Sequence, residues 1–193
     1  MQINKVVQKS MYARGNNGHV VSKVAFTNPP NSGLANVVKQ CAALQKATGK
    51  PVYLVGVISS LNNPANGNKI ALPLNMHLYN RVRFLVVQQA LLKAGVYCIN
   101  PAAPNVFMRN IKAPKGIAGA CNYFNCPNSF NAVTTKQGLQ RTIKNLHRAN
   151  ARAVKGACAL VMVQWPLSLY SNGVQQELAY AIKHNPNIPI FRV

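Results

Sequence analysis

This sequence predicts an α/β fold built on a parallel sheet of about five strands, doubly wound with helices on both faces. Three observations predict it. Pro51 to Ser60, PVYLVGVISS, is apolar on both strand faces, the mark of a parallel strand covered by helices on each side. A helical stretch, His77 to Ala94, and a second strand, Val96 to Ile99, follow it and complete a strand–helix–strand unit of the right-handed kind. The alternation then continues to the end, where Cys158 to Val163, Gly173 to His184 and Ile188 to Val193 read as strand, helix and strand. Such an order is Rossmann-like or flavodoxin-like, and its ligand site is expected at the carboxyl ends of the strands.

At 193 residues the chain suits a single domain with one core. Residues 51–193 form that core, and residues 1–50 read as an N-terminal extension or an edge strand and helix. In the extension, HVVSKVAF (19–26) alternates as a strand does and TNPPNSG (27–33) is a turn cluster. LANVVKQCAALQKA (34–47) carries apolar residues at helical spacing and stops at Gly49. After the first core strand, LNNPANGNKIALPLN is polar and rich in Pro and Gly, as a lid or binding loop would be. In the helix at 77–94, Leu78, Val82, Leu85, Val86, Gln89 and Leu92 fall near one face, which is expected to pack inward, and Gly95 closes the helix. Residues 101–134 are a loop-rich insertion. Thr135 to Lys155 is a second long helix, with Leu139, Ile143, Leu146 and Ala153 on its apolar side.

No apolar run approaches the roughly 20 residues that span a bilayer, so no membrane partner is expected. The start, MQINKVVQKS, lacks the apolar core of a signal peptide, and the expected location is cytoplasmic. Five cysteines without a repeating spacing fit a reducing compartment. Cys121 and Cys126 lack the tight pairing and the four ligands of a zinc knuckle and read as loop cysteines, so no metal is expected. Lys plus Arg number 22 against one acidic residue, a net charge of +21. That charge admits a basic nucleic-acid or virion-associated binding protein, although the cations are scattered and no stacking platform accompanies them. Aspartate is absent while asparagine occurs 24 times, often at helix starts and turns where aspartate would serve.

The one acid, Glu177, lies in WPLSLYSNGVQQELAYA (165–181), after a strand and a loop that holds Ser168, Ser171, Asn172 and Gly173. The first N–H groups of the helix that starts there have no internal partners, so Ser171 and Gly173 suit a phosphate or carboxylate cradle. Glu177, one turn on, projects toward what is held there. A carboxylate so placed serves as a nucleophile toward an anomeric carbon or as a general base. The plain alternative is a first-turn glutamate stabilised by the helix dipole.

Four blocks, YLVGVISS, NRVRF with LLKAGVYCINPA, HRANARAVKGACALVMVQW and SNGVQQELAYA, stand in an order that resembles the nucleoside 2-deoxyribosyltransferase-like superfamily. That group includes 2-deoxynucleoside 5-phosphate N-hydrolases and related uncharacterised phage and bacterial proteins. The similarity covers roughly residues 51–193, and Ser-x-Gly-x-x-x-Glu-Leu-x-x-Ala after a strand is its most specific part.

The resemblance implies cleavage or transfer at the N-glycosidic bond of a nucleoside or nucleoside monophosphate, with Glu177 as the nucleophile. It places Ser171 and Gly173 on phosphate or sugar, Gly56, Ile58, Ser59 and Ser60 on the nucleotide, and Asn80 near the site. It implies no metal or organic cofactor, and a homo-oligomer, since relatives often complete their sites across subunits. Asn150 takes the place of the family's assisting aspartate, Cys158 stands where an aspartate closes the block, and Gly56-Val57 replaces Gly-Pro. Three extra residues separate Trp165 from Ser171. A carboxamide at 150 cannot move a proton, which slows cleavage roughly 10²–10⁴-fold and makes a non-catalytic nucleotide-binding sensor the main alternative. Asn80, which opens NRVRF with Arg81, reads equally well as a polar residue on the exposed side of its helix, Arg109 as a phosphate contact or more commonly a solvated side chain, His147 as helix surface, Trp165 as loop packing, and Tyr53 and Tyr180 as core or rim.

Overall fold

Four strands carry side chains that are apolar on both faces, and burying both faces requires helices on each side. The computed structural model of the protein describes residues 12–14, 20–22, 25–29, 31–58, 60–62, 69–102, 148, 150–164 and 167–193. Tyr12–Arg14 (β1) and Val20–Ser22 (β2) form an antiparallel pair. Leu34–Thr48 is helix α1, which ends at Gly49 with φ 67°, a left-handed turn that glycine takes without steric cost.

Val52–Val55 (β3) is followed by Ser60–Asn62 (β4) and Lys69–Ala71 (β5), an antiparallel hairpin inside the stretch read as a lid or binding loop. Leu74–Lys93 is helix α2 and Cys98–Ile99 is β6. Residues 150–155 are helical (α3) and belong to the second long helix expected from the sequence. Ala159–Met162 (β7), a 3-10 turn at Leu167–Tyr170, Asn172–His184 (α4) and Ile190–Arg192 (β8) complete the chain.

The main sheet has the order β6-β3-β7-β8 and every pairing in it is parallel. It holds four strands among the described residues, where about five were expected. Strand alternation divides the core in two. Tyr53, Val55, Leu160, Met162 and Ile190 pack with Ala153 and Val154 of α3 and with Val174, Leu178 and Ala181 of α4. Val52, Leu54, Val161 and Phe191 pack with Val37, Val38 and Cys41 of α1 and with Phe84, Val87 and Leu91 of α2. Each Val, Leu, Ile, Phe or Met side chain among them that is buried in full contributes about 1.5–3 kcal/mol.

One expectation is corrected at α2. Leu78, Val82 and Val86 are 58%, 54% and 52% exposed, and the face turned to the sheet instead holds Asn80, Phe84, Val87, Gln88 and Leu91. Two polar residues on the inward face diluted its apolar signal. Both are satisfied: Asn100 Nδ2 donates to Gln88 Oε1 at 2.9 Å, and Asn80 Nδ2 donates to the Ile58 carbonyl at 3.2 Å.

Beyond β8 the segment 26–28 closes the sheet edge. Thr27 N donates to Ile190 O at 2.8 Å, and the Asn28 amide meets Arg192 twice, accepting from its N–H at 2.9 Å and donating to its carbonyl at 3.0 Å. The Arg192 guanidinium lies 4.7 Å over the Phe26 ring. An edge covered in this way offers no ladder for a foreign strand. Among the described residues, no helix is long and apolar enough to cross a membrane.

Candidate functional site

Parallel strands end together, and the loops leaving β3 and β7 bring residues distant in sequence to one edge of the sheet. Glu177 stands in the second turn of α4, close behind that edge, and is partly buried. Two donors converge on its Oε1: the Tyr53 hydroxyl at 2.8 Å and Asn150 Nδ2 at 2.9 Å. No hydrogen bond to Oε2 is made by the described residues, so their donors anchor one oxygen alone. Burial pushes the carboxyl up to about 7, while the bonds from Tyr53 and Asn150 act in the opposite direction. Tyr53 is raised well above the usual phenol range, by burial first and by the neighbouring carboxylate second, so it stays protonated and donates. Asn150 Oδ1 is buried and makes no hydrogen bond to the described residues.

A second polar group gathers at the exits of β3 and β7. Ser168 Oγ donates to the Val163 carbonyl and accepts from Val57 N at 3.1 Å, tying the two exits together. Gln164 Nε2 donates to Asn80 Oδ1, and Asn80 in turn holds the Ile58 carbonyl. Ser171 is the N-cap of α4, yet its side chain makes no capping hydrogen bond.

The sequence-predicted residues separate into groups. Glu177 and Asn150 are in direct contact. Asn80 and Ile58 meet at the β3 exit, with Ile58 contributing its backbone carbonyl. Gly56 sits where an added Cβ would lie 2.9 Å from both Phe84 Cζ and the Val163 carbonyl, so packing requires glycine there. At Gly173 an added Cβ would meet nothing closer than Ser171 Oγ at 3.8 Å, so space sets no such requirement. Ser60 opens β4, and Ser59 lies outside the described residues. Arg109, Cys121, Cys126, His147 and Trp165 also lie outside them, as do residues 103–147, which hold the expected insertion and the first part of the expected long helix.

Tyr53, Gln164 and Ser168 were missed as members of the site. The phenol is the one polar head in VYLV, but inside an apolar strand it reads as core until its tertiary partner is known. The geometry that brings Gln164 and Ser168 together is tertiary. Cys41 and Cys98 are buried free thiols pushed up to about 12 by burial, and burial also raises Cys158. Thiols held protonated in this way are poor nucleophiles and poor metal ligands. Among the described residues no group of three or more His, Cys, Asp or Glu comes together to hold a metal ion. The chain matches no family model, and no curated protein or solved structure matches it.

Proposed function

We propose that this protein cleaves or transfers the N-glycosidic bond of a (deoxy)nucleoside or nucleoside monophosphate, with Glu177 as the nucleophile. The observation that carries the reading is a partly buried carboxylate whose donors among the described residues both meet Oε1, with none of them on Oε2. In the reaction Oε2 attacks the anomeric carbon, the bond to the base breaks, and the base departs with the electron pair and takes a proton from water. Water then attacks the glycosyl ester, or the nitrogen of a second base does, and Glu177 is regenerated. The Tyr53 and Asn150 bonds hold the carboxylate in one orientation, which removes rotational freedom before the attack. No metal or organic cofactor takes part. The strand order turns back between β3 and β7, and we read that reversal as the switch point of a doubly wound sheet, where ligands bind in such folds.

One observation favours a second reading. Among the described residues the only side chain other than Tyr53 on Glu177 is a carboxamide, which supplies no proton to a leaving base, and a nucleotide-binding sensor needs none. Incubation with deoxynucleosides and their monophosphates, with chromatographic detection of free base, separates the two. Base release that Glu177→Ala abolishes supports the enzyme. Measurable binding with no base released from any substrate supports the sensor. Salt-sensitive binding to any DNA that Glu177→Ala leaves intact points instead to a basic binding protein.

A further inference from the structure

Gln164 leaves β7 with φ 63°, a left-handed conformation that costs a non-glycine residue stability, and it is the only such residue among those described. It is 7% exposed, and its buried Oε1 makes no hydrogen bond to the described residues. The orientation of the amide is dictated by its neighbours. The Ile58 carbonyl can only accept, so Asn80 must turn its Nδ2 toward it and its Oδ1 away. Asn80 Oδ1 then requires a donor, so Gln164 must present Nε2 to it, which leaves Oε1 as the atom without a partner. An amide flip would set two acceptors against each other and is excluded.

A strained backbone and an unsatisfied buried acceptor at one residue are two separate losses of stability. They persist together at sites kept for another purpose. Because Oε1 is hidden from bulk water, its partner has to be a group placed beside it. Asn150 repeats the pattern, with its Nδ2 committed to Glu177 and its Oδ1 buried and unpartnered. Each polar group therefore keeps one buried amide carbonyl without a donor, and Gln164 is the one placed at the β3 and β7 exits, where a ligand of this fold binds and an O–H or N–H donor could meet it.

We propose that Gln164 is a ligand-binding residue whose Oε1 accepts a hydrogen bond from the nucleoside part of the substrate, through either a sugar hydroxyl or the exocyclic amine of the base. The inference rests on the nucleotide reading above and adds to it that recognition runs through a donor on the ligand.

The test uses the full chain carrying Glu177→Gln, so that ligands persist, and measures equilibrium binding of deoxyadenosine monophosphate and two analogues. One analogue lacks the 3′-hydroxyl and the other lacks the exocyclic amine. One of the two is expected to bind roughly 3- to 10-fold more weakly than the parent ligand. Adding Gln164→Gly, which suits the left-handed backbone and deletes the carboxamide, is expected to weaken the parent ligand by the same factor and to leave that analogue unchanged. The analogue affected names the source of the donor. Gln164→Asn, which tolerates the same backbone but shortens the reach, gives the same readout if Gln164→Gly does not fold. Unchanged affinities for all three ligands, as expected if a buried water pairs Oε1, overturn this inference alone. Failure of every nucleotide to bind the Glu177→Gln protein overturns the nucleotide reading and this inference with it.

Discussion

The Tyr53 hydroxyl, in the middle of β3, donates to Glu177 Oε1 at 2.8 Å across 124 residues of sequence. This bond ties the central strand to the helix that carries the only acid, and it is one of the two interactions that lower the Glu177 pKa against the effect of burial. Tyr53→Phe keeps the ring in the core and removes the donor. The carboxyl pKa is expected to rise further, and the acid limb of the pH–rate profile for base release should move upward. Activity at neutral pH should fall roughly 10-fold, the loss of about 1.4 kcal/mol expected for a hydrogen bond to a charged group. An unshifted profile would show that the phenol does not tune the carboxylate.

The pH dependence of stability follows from the same carboxyl. Its folded-state pKa of about 7 lies above the ordinary value of 4.5, so the native state binds the proton more tightly than the unfolded chain does. The stabilising contribution is complete below the unfolded value and is lost as pH rises toward 7. The loss is at most roughly 3 kcal/mol, less whatever partial exposure screens away. Urea midpoints for the native protein should therefore decline between pH 4.5 and 7 relative to those for Glu177→Gln. Parallel curves for the two proteins would show that the carboxyl has an ordinary pKa.

Much of the frame was legible because apolar continuity is a local signal. PVYLV reads as a strand buried on both faces and CALVMV and IPIFRV as strands after it, and Gly49 and Gly95 both take positive φ at helix ends. Glu177 was legible for a cruder reason, as the lone acid. Tyr53 was not, because an aromatic inside an apolar strand reads as core until the helix that meets its hydroxyl is known. The face of α2 was misjudged because apolar residues at 78, 82 and 86 have ideal helical spacing. The buried polar residues that set the true inward face are stabilised by partners up to 84 residues away in sequence.

That misjudgement has a direct measurement. Phe84 is fully buried and lies against Gly56 and the β7 exit, whereas Val82 is 54% exposed on the same helix. Phe84→Ala is expected to lower unfolding stability by about 3–5 kcal/mol and Val82→Ala by under about 0.5 kcal/mol. Equal losses in chemical denaturation would return the inward face to Val82.

Asn28 tests the closure of the sheet edge. Its amide makes two hydrogen bonds to the Arg192 backbone, one as donor and one as acceptor, and so continues the ladder that Thr27 begins at Ile190. Asn28→Ala removes both and should lower stability by about 1–3 kcal/mol, while Asn31→Ala on the exposed turn should change it by under about 0.5 kcal/mol. A raised tendency to aggregate at neutral pH should accompany the loss, since β8 then presents an edge to other chains. A variant as stable and as soluble as the parent would show that the 26–28 segment adds nothing to the edge.

Asn150→Asp is the most demanding test of the chemistry. The amide nitrogen of Asn150 lies 2.9 Å from Glu177 Oε1, and a carboxyl in its place would share a proton with a group already near pKa 7. Two carboxyls that close cannot both ionise, so their pKa values separate and the pair holds one proton at neutral pH. One member then attacks as the carboxylate while the other protonates the departing base. Base release is expected to rise roughly 10²–10⁴-fold over the native chain, with a bell-shaped pH profile in place of a single limb. If the rate stays flat or falls while the variant remains folded and still binds nucleotide, proton delivery is not what limits this site and the sensor reading gains.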